Sequence, residues 1–333
     1  MTDRIDLSHG SGGRRTRELV EELFLSAFGA LGPDAALDAA VLAPLSGRLA
    51  FTVDGFTVSP LEFPGGSIGS LSVHGTCNDL VCAGARPRFA AASFLLEEGL
   101  EIDLLVRIVS DMAAAAEEAG IRLAAGDTKV VQRGRADGVY ISLSGIGEIP
   151  DGRDVCPRSL RPDDAWLVSG PVGDHGAAIL TARGEVKLET PLQSDSACLA
   201  PLAEALFDAV PNVRFLRDPT RGGLAQAVVE ACRTSGVGCR IQEDAIPIRP
   251  EVRSVCEILG FDSLHLACEG RLLAAVPPGD RIAALEAMRS HPLGRKAAAI
   301  GAVTVGRHPI LVTSIGGERI LDELEDDPVP RIC

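Results

Sequence analysis

Hydrophobic and polar positions repeat with two different periods along this chain, which predicts a mixed α/β protein. Residues 17–30 and 103–119 carry apolar side chains at intervals of three and four positions, as an amphipathic helix does. Gly120 is a natural stop for the second of these helices. Residues 139–144 alternate between apolar and polar side chains, which is typical of a half-buried strand.

Stretches rich in proline, glycine and charge divide this pattern into segments. Residues 1–155 are predicted to form one domain that begins with a mobile glycine-rich arm, and residues 156–322 a second α/β domain. The boundary falls within residues 150–164, where proline, glycine and charge interrupt the periodic pattern. Residues 323–333 are acidic and contain two prolines, so we predict an extended, mobile tail.

Length, charge and cysteine usage exclude several classes of protein. A chain of 333 residues with 46% hydrophobic residues fits about two folded domains. The net charge of −14 argues against binding to nucleic acid. No apolar run approaches ~18 residues and the N-terminus lacks an apolar signal region, so we expect neither a membrane span nor secretion. Nine cysteines without a CxxC pair favour reduced thiols in the cytoplasm.

Four aspartates stand at the ends of predicted elements in the first half of the chain: Asp38, Asp54, Asp79 and Asp127. Side chains at such positions can converge on a ligand. Two carboxylates 4 Å apart repel by about 4 kcal/mol at an effective dielectric constant of about 20, and a divalent cation removes that cost. Ligand sets made only of oxygen suit Mg²⁺ bound to phosphates. The alternative interpretation is a set of unrelated capping and turn residues.

Two glycine-rich segments precede predicted helices, where backbone N–H groups can bind phosphate. The residues concerned are Gly12 and Gly13 in the first segment, and Thr220, Gly222 and Gly223 in the second. Neither segment has the GxxxxGK spacing of a P-loop. A flexible linker and a helix-capping turn are the respective alternatives.

Three further residues have side chains suited to covalent or acid–base chemistry. Cys333 is the last residue, and a thiol on a mobile segment can reach both a partner enzyme and its own protein's site. Glu269 lies in a predicted tight turn between apolar strands, where burial would raise its pKa as a general base requires. Lys129 is a candidate cation for a phosphate or a leaving group. An exposed turn glutamate and a solvated lysine are the alternatives.

Several longer motifs together resemble the HypE family of hydrogenase expression/formation proteins, also called carbamoyl dehydratases. The motifs are SHGSGG, LDAAVL, FTVDGFTVSPLEFPGG, GTCNDL, AGDTKVV, SGPVGDHG, RDPTRGGLA, HPLG, IGGERILD and the final PRIC. They run nearly end to end, in order. GDTK and DAAV are shared with the wider group of aminoimidazole ribonucleotide synthetase-like enzymes, whereas GDHG together with terminal PRIC is specific to HypE.

The resemblance implies a two-domain fold and a shared nucleotide site. The N-terminal sheet domain would form a barrel across a homodimer, and the C-terminal domain would be an α/β sandwich. ATP and Mg²⁺ would lie between the domains, near the dimer interface. The nucleotide and metal carboxylates would be Asp38, Asp54, Asp79 and Asp127, with Asn78, the glycine loop containing Gly12 and Gly13, Thr220, Gly222 and Gly223 around the phosphates. Lys129 and Glu269 would serve the dehydration step, and Cys333 would accept the carbamoyl group.

The implied reaction is an ATP-dependent dehydration on the protein's own thiol. The carbamoyltransferase HypF would load a carbamoyl group onto Cys333, and phosphorylation of the carbamoyl oxygen would let phosphate leave. The resulting thiocyanate would pass its cyano group to iron on the HypC–HypD complex, for the active site of nickel–iron hydrogenase. Positioning and electrostatic stabilisation would supply much of the rate.

Four residues depart from the pattern expected for this family. Cys77, Cys82 and Cys268 stand where valine, another hydrophobic residue and asparagine are expected, and Gly55 replaces a serine. Cys268 matters most, because it adjoins Glu269 and an asparagine there could orient the carboxamide.

Three other functions compete with this interpretation. Thiamine-phosphate kinase belongs to the same superfamily, but that function gives PRIC no role. Selenide, water dikinase is expected to carry a reactive cysteine and a lysine in the N-terminal glycine loop, and HGSGG has neither. A non-catalytic carrier that binds nucleotide and presents a thiol is the alternative from another class.

Overall fold

The structure is a computed structural model that describes residues 4–29, 39–184, 190–325 and 329–333. Asp38, predicted as a metal ligand, lies outside these residues. Two large sheets with helices packed on them form a mixed α/β fold, which confirms the predicted fold class.

The first half of the chain builds a four-stranded sheet with the strand order β1-β6-β4-β5. The strands are β1 (Arg48–Phe56), β2 (Glu62–Phe63), β3 (Gly66–Ser67), β4 (Arg86–Glu97), β5 (Arg122–Val131) and β6 (Val139–Ile149), of which β2 and β3 form a separate pair. The helices are α1 (Arg14–Leu19), a π-helical segment (Val20–Leu25), α2 (Ser26–Phe28), α3 (Ile68–Cys82) and α4 (Ile102–Ala119). The helix predicted over 103–119 is α4, and it ends at Gly120 in the left-handed conformation.

The two faces of this sheet have different surroundings. Helix α3 packs on β1 and β6, so that Ile141 and Leu143 are buried beneath it. On the opposite face the side chains of Leu49, Phe51 and Val53 are each more than half exposed. In the part of the chain that the structure describes, the edge strands β1 and β5 each pair with one neighbour. The sheet is open in a single chain, and the barrel across a dimer stays a prediction.

The second half of the chain builds a seven-stranded sheet with the order β13-β12-β9-β11-β7-β10-β8. Its strands are β7 (Ala165–Val168), β8 (Phe215–Arg217), β9 (Gly238–Gln242), β10 (Leu273–Val276), β11 (Ala298–Thr304), β12 (Pro309–Val312) and β13 (Glu318–Ile320). Its helices are α5 (Asp174–Ala182), α6 (Ala200–Ala209), α7 (Gly223–Ser235), α8 (Pro250–Leu259) and α9 (Arg281–Ser290). Trp166 and Leu167, neighbours on β7, enter two different apolar clusters, so this sheet has a core on each face. None of the described helices is both long enough and apolar enough to cross a bilayer.

Helix α3 joins the two halves. Cys77 packs in the apolar cluster of the first half, whereas Val81, one turn further on, packs in a cluster of the second half. The side chains around the C-terminal end of α3 therefore lie between the domains.

Both ends of the chain pack against this scaffold. Ile5 is buried and its amide donates to the carbonyl of Leu100 across 2.8 Å. Val329 and Ile332 are buried at the other end. The sequence predicts a mobile arm and a mobile tail, whereas the described parts of the two segments, from residue 4 and from residue 329 onward, are docked, because each buries apolar side chains. Release of the tail stays a prediction.

Candidate active site

Helix α3 carries the side chains at the centre of the candidate site. At its start, the Ser67 amide donates to Oγ of Ser70 across 3.1 Å, which satisfies one of the free N–H groups of the first turn. Close packing on α4 is possible because position 69 is glycine: a Cβ at Gly69 would lie 2.0 Å from a backbone oxygen of α4. This packing fixes Asn78 and Asp79 near the end of the helix.

Four carboxylates from both domains form a set in which Asp79 repels each of the other three, and we call them the interdomain acidic cluster. The members are Asp54 on β1, Asp79 on α3, Asp218 after β8 and Glu269 before β10. Two of them accept hydrogen bonds from hydroxyl groups. Thr76 Oγ1 donates to Asp54 across 3.1 Å, and Thr52 Oγ1 donates to Asp79 across 3.0 Å.

Burial and mutual repulsion raise the pKa values in the cluster. Burial, followed by the charge of Asp79, raises the pKa of Asp54 to about 6. The same two causes raise the pKa of Asp218 to about 7. The pKa of Glu269 lies well above its ordinary value because the side chain is buried and faces Asp218. The cluster therefore favours bound protons near neutral pH, or a cation in their place.

The carboxylate oxygens of the cluster suit a divalent cation that binds together with a phosphate group. One buried oxygen of Asp218 and one of Glu269 have no hydrogen-bond partner among the described residues. Within the same residues, no three His, Cys, Asp or Glu side chains form a ready metal cage. Mg²⁺ needs only one or two protein carboxylates, because water and phosphate oxygens complete its octahedron.

Asn78 connects α3 to the loop of Glu269. Its side-chain nitrogen donates to the main-chain oxygens of Ala197, across 3.0 Å, and of Glu269, across 3.2 Å. Its side-chain oxygen accepts from the Leu199 amide across 2.8 Å. Both polar atoms are engaged with backbone, which gives Asn78 a positioning role in this conformation. The direct phosphate contact implied by the resemblance stays a prediction.

The loop Asp218–Gly223 packs against the loop of Glu269, and the Cys268 amide donates to it across 2.9 Å. Gly222 and Gly223 both have positive φ angles, of 73° and 62°, and a Cβ on Gly223 would lie 2.5 Å from a backbone oxygen. Only glycine fits these two positions. Because Gly223 begins α7, the free N–H groups of that helix and the hydroxyl of Thr220 can face an anion beside the cluster.

The last residue of the chain is bound directly after β1. The main-chain oxygen of Cys333 accepts from the amide of Thr57 across 3.1 Å and from its hydroxyl across 3.2 Å. The preceding residue, Phe56, has its ring against Gly75. A Cβ on Gly75 would lie 3.0 Å from that ring and 4.0 Å from Oε2 of Glu269. Phe56, the neighbour of the residue that binds the tail, therefore packs on the part of α3 that lies near the Glu269 carboxylate.

Of the other predicted site residues, Asp127 lines a cavity at the far edge of the first sheet, which we call the β5 cavity, and Gly12, Gly13 and Lys129 lie next to residues that line it. Its volume is about 300 Å³, at the lower end for ligand pockets. Asp127 and Thr16 line it. The Gly12 amide donates to the Thr16 hydroxyl across 3.0 Å, and Gly13 precedes α1. Nζ of Lys129 lies 2.8 Å from Oδ1 of Asp127, and this contact lowers the pKa of Asp127.

The predicted site residues thus fall into two groups within one chain. Strands β1 and β5 are opposite edges of the sheet, separated by about 14 Å at the usual strand spacing. The register places Asp54 on the face covered by α3, and Asp127 beside exposed Ser93 on the open face. The expected convergence of Asp54, Asp79 and Asp127 therefore does not occur within one chain. Lys129 pairs with Asp127 on β5, so it belongs to the group of site residues at that edge of the sheet and not to the group that contains Glu269.

Three residues of this region escape the sequence analysis: Asp218, His175 and Arg183. Asp218 lies in the same RDPTRGG segment as the predicted glycines, so its position before a helix is the signal that could have identified it as a site residue. His175 and Arg183 bind the tail, through main-chain oxygens of residues 330–332. No local pattern indicates that contact, because its partners are about 150 positions apart in sequence.

Family models and relatives match this chain over nearly its full length. Residues 36–149 match the N-terminal domain of AIR synthase related protein, and residues 161–314 match its C-terminal domain. The carbamoyl dehydratase HypE of Rhodobacter capsulatus is 49% identical over 99% of this chain and 98% of its own length. The chain belongs to the HypE carbamoyl dehydratase family. The two-domain fold that the resemblance implies is thereby confirmed.

Solved structures of the HypE family superpose closely on this chain. A crystal structure of hydrogenase maturation protein HypE in complex with ATP has a TM-score of 0.94 at 44% identity, and covers 98% of this chain and 99% of that one. A structure of a HypE–HypF complex has a TM-score of 0.82 at 43% identity, and covers 92% and 99%.

Two of the departures from the family pattern lie beside the acidic cluster. The thiol of Cys268 is fully buried and accepts from the Gly173 amide across 3.1 Å, so it fixes the backbone before Glu269. The thiol of Cys82 donates to Asp218 across 3.7 Å. Burial raises the pKa of both thiols well above the ordinary value, so both are uncharged.

Proposed function

We propose that this protein catalyses the ATP-dependent dehydration of a carbamoyl group carried on the thiol of its own Cys333. Cys–S–C(=O)–NH₂ and ATP give Cys–S–C≡N, ADP, phosphate and a proton. The carbamoyl oxygen takes the terminal phosphoryl group of ATP, the C–O bond then breaks with departure of phosphate, and the nitrogen loses its protons as the triple bond forms. The thiocyanate supplies cyano ligands for iron during maturation of nickel–iron hydrogenase. Full-length identity to named carbamoyl dehydratases supports this proposal.

The single observation that carries the proposal is the docked tail. Cys333 is bound at Thr57, directly after β1, between the two domains. Asp54 lies three positions before Thr57, on β1, and Phe56 packs on Gly75, which is close to the Glu269 carboxylate. This arrangement supports the proposal that a group attached to the thiol reaches the carboxylate cluster, which a tail that faced solvent would not do.

Glu269 is the proposed base for the nitrogen protons. Its carboxyl is buried and one of its oxygens has no hydrogen-bond partner among the described residues. Its raised pKa makes it a stronger base when ionised, and proton removal is needed only in the dehydration step. Asn78 and Asp195 hold the main chain of Glu269 on both sides, which fixes the carboxylate in the site.

ATP and Mg²⁺ are the proposed cofactors. Mg²⁺ would neutralise charge on the transferring phosphate. Asp54 and Asp79 are the proposed ligands from the interdomain acidic cluster, with the loop of Thr220, Gly222 and Gly223 around the phosphates. These residues bind, orient and shield the reacting groups from water. A relative of 44% identity was crystallised in complex with ATP, which supports the nucleotide.

The site is proposed to be shared between the two chains of a homodimer. Both edge strands of the first sheet have an unpaired side among the described residues, and the open face of the sheet exposes Leu49, Phe51 and Val53. Closing two such sheets into a barrel buries that face. If β1 of one subunit pairs with β5 of the other, Asp127, Lys129 and the Gly12–Gly13 loop of one chain come next to the strand that carries Asp54 in its partner.

The proposed partners are the carbamoyltransferase HypF, which loads Cys333, and the HypC–HypD complex, which accepts the cyano group. A solved HypE–HypF complex supports the first partner. The proposed location is the cytoplasm, in agreement with nine cysteines that are all free thiols. Neither nucleic acid nor a membrane is a proposed partner.

Intact mass spectrometry tests the function. Incubation with HypF, carbamoyl phosphate and ATP should first add about 43 Da to the thiol, for one carbamoyl group. Dehydration should then reduce the added mass to about 25 Da, for one cyano group. A non-catalytic carrier would stop at the first mass and would show no ATP hydrolysis that depends on carbamoylated Cys333. That outcome would contradict the proposal.

A further inference from the structure

Four residues donate hydrogen bonds to the main-chain oxygens of the tail. We call them the tail clamp: Thr57, Ser59, His175 and Arg183. Arg183 Nη2 donates to the oxygens of Pro330, across 2.6 Å, and Arg331, across 2.8 Å, and the Ser59 amide also donates to Arg331. His175 Nε2 donates to the Ile332 oxygen across 2.8 Å, and Thr57 donates to Cys333. Every main-chain oxygen from 330 to 333 is thus held by a donor.

The clamp residues lie at the two ends of one helix and on the opposing domain. His175 is in the first turn of α5 and Arg183 follows its last residue, so the two are about 12 Å apart along the helix. The tail therefore runs antiparallel to α5. Arg183 Nε also donates to the Ser59 oxygen across 3.0 Å, which ties α5 to the segment after β1. The clamp spans both domains.

The His175 ring has its orientation fixed from the other side. Nδ1 lies 2.7 Å from Oγ of Ser194, and the ring packs edge-on against Phe63. The Ile332 oxygen can only accept, so Nε2 must donate to it, and in a neutral ring Nδ1 then accepts from the Ser194 hydroxyl. Burial lowers the pKa of His175 to about 4, so the neutral ring carries its proton on Nε2, where the Ile332 oxygen accepts it.

Arg331 turns the tail inward. Its φ angle of 53° is in the left-handed region, which non-glycine residues seldom occupy. The side chain offsets this strain, since Nε donates to the Thr57 oxygen across 2.9 Å and the guanidinium pairs with Asp137. Because of this bend, Ile332 enters the apolar core and Cys333 reaches Thr57.

We propose that His175 and Arg183 are positioning residues that set how far the tail enters, and so place the Cys333 thiol for dehydration. This inference rests on the function proposed above. The clamp holds oxygens of the backbone, so it measures chain length rather than side-chain identity. Weakening it lowers the fraction of tail that is correctly placed for dehydration, yet leaves the thiol available to HypF. The two half-reactions should therefore respond differently.

Two full-length variants test the clamp, Arg183→Met and His175→Ala. Each should slow single-turnover dehydration of the carbamoylated chain by at least about tenfold, the scale of a small misplacement of reacting groups, with the KM for ATP unchanged. Carbamoylation by HypF should stay equal or become faster. Hydrogen exchange at the amides of Thr57 and Ser59 should rise, because both donate to the tail.

Matched variants separate positioning from stability. Arg289→Met removes a guanidinium that caps the Ala297 oxygen, an oxygen outside the tail, and should leave both half-reactions unchanged. His175→Gln keeps a donor near the position of Nε2 and should recover part of the dehydration rate. Arg183→Lys should recover less, because an ammonium cannot reproduce the planar fork of donors.

Three outcomes would overturn the inference: unchanged dehydration in Arg183→Met and His175→Ala, unchanged amide exchange, or parallel loss of carbamoylation and dehydration together with lower thermal stability. The last result would indicate a structural role alone. A wild-type chain that accepts the carbamoyl group but never loses water would reject the proposed function instead. In that case the amide exchange of the variants still reports whether the clamp holds the tail.

Discussion

The side-chain nitrogen of Asn78 lies 3.2 Å from the main-chain oxygen of Glu269. This bond joins α3, which also carries Asp79, to the loop that carries the proposed base. One buried amide therefore fixes the separation of two carboxylates that belong to different domains. The relationship is structural first, and it matters for chemistry because both carboxylates face the same site.

Replacing Asn78 by alanine should destabilise the protein and slow dehydration together. The change leaves the oxygen of Ala197 and the amide of Leu199 without partners, at about 1–3 kcal/mol each before relaxation, and leaves the Glu269 oxygen only the Ala197 amide, across 3.3 Å. We expect a loss of at least about 2 kcal/mol in the free energy of unfolding by urea denaturation. Asn212→Ala, at an exposed position, is the control. Equal stability of Asn78→Ala and wild type would contradict the positioning role.

Glu269→Gln should permit carbamoylation of Cys333 and stall dehydration. Glutamine keeps the shape of the side chain but cannot accept the nitrogen protons, and loss of a general base typically costs about 10²–10⁴ in rate. Mass spectrometry of the tail peptide should show the carbamoyl adduct accumulating. Glu286→Gln, at an exposed position on α9, should behave as wild type. A normal yield of thiocyanate from Glu269→Gln would remove this residue from the mechanism.

The acidic cluster should make the ligand-free protein less stable as pH rises. The pKa of Asp218 is about 7 in the folded protein against an ordinary 3.8, so the folded state binds the extra proton between these values. The stabilisation that this carboxyl contributes is fully present below about pH 4 and is lost as the pH rises through 7. The Asp218→Asn variant has no carboxyl at this position, so its stability should not fall with pH for this reason.

Urea denaturation at two pH values measures this effect. Between pH 5 and pH 8 the stability of Asp218→Asn relative to wild type should increase by about 1–3 kcal/mol. Asp111→Asn, at an exposed position on α4, is the control and should show no such change. Identical pH dependence in Asp218→Asn and wild type would show that the carboxyl is ionised without penalty.

Local patterns predict the helical segments over residues 17–30 and 103–119 and half of the candidate site. The periodicity of 103–119 and the stop at Gly120 correspond to α4 within a residue. Asp54 at the end of a strand and Asp79 on a helix are brought together because α3 packs directly on β1. In such cases local patterning and the nearest packing decide the geometry.

The remaining features depend on long-range register, which sequence spacing does not encode. Asp127 resembles Asp54 in its local context, but strand order places it on the opposite edge and the opposite face of the sheet. The proline-containing tail reads as mobile, yet donors more than a hundred positions away hold its main-chain oxygens. A hydrogen bond to backbone leaves no mark on the sequence of its acceptor.

A shared site predicts that two inactive variants restore activity when mixed. If each site takes residues from both chains, a homodimer of Asp127→Asn or of Glu269→Gln has both of its sites damaged. A mixed dimer has one site with both changes and one site with neither. Random exchange of equal amounts should therefore recover up to about a quarter of the wild-type dehydration rate. No recovery, with exchange verified by native mass spectrometry, would show that each chain holds a complete site.

Cys333 should be the only thiol that receives the carbamoyl group. Cys77, Cys256 and Cys268 are buried. A hydrogen bond with Cys198, followed by burial, raises the pKa of Cys77 well above the ordinary value, and burial raises the pKa of Cys268 well above it and that of Cys256 to about 11. Thiols in that state are poor nucleophiles. Cys333→Ala should abolish carbamoylation, and mass spectrometry of proteolytic peptides should find no label elsewhere. A carbamoyl group on an internal cysteine would contradict this prediction.

Adding one alanine after Cys333 separates position from chemistry. The thiol remains and HypF should still load it, but the chain now continues beyond the oxygen that Thr57 binds. If the clamp keeps its contacts, the added residue must enter the space between Thr57 and the cluster. If the tail slips outward by one residue, Ile332 leaves its buried position and the thiol moves by about 3.3 Å. Either displacement should lower the single-turnover dehydration rate by at least about tenfold, measured on the tail peptide against an equally carbamoylated wild type. Dehydration at the wild-type rate would mean that the site accepts the thiol in more than one register, and that docking at Thr57 does not position it.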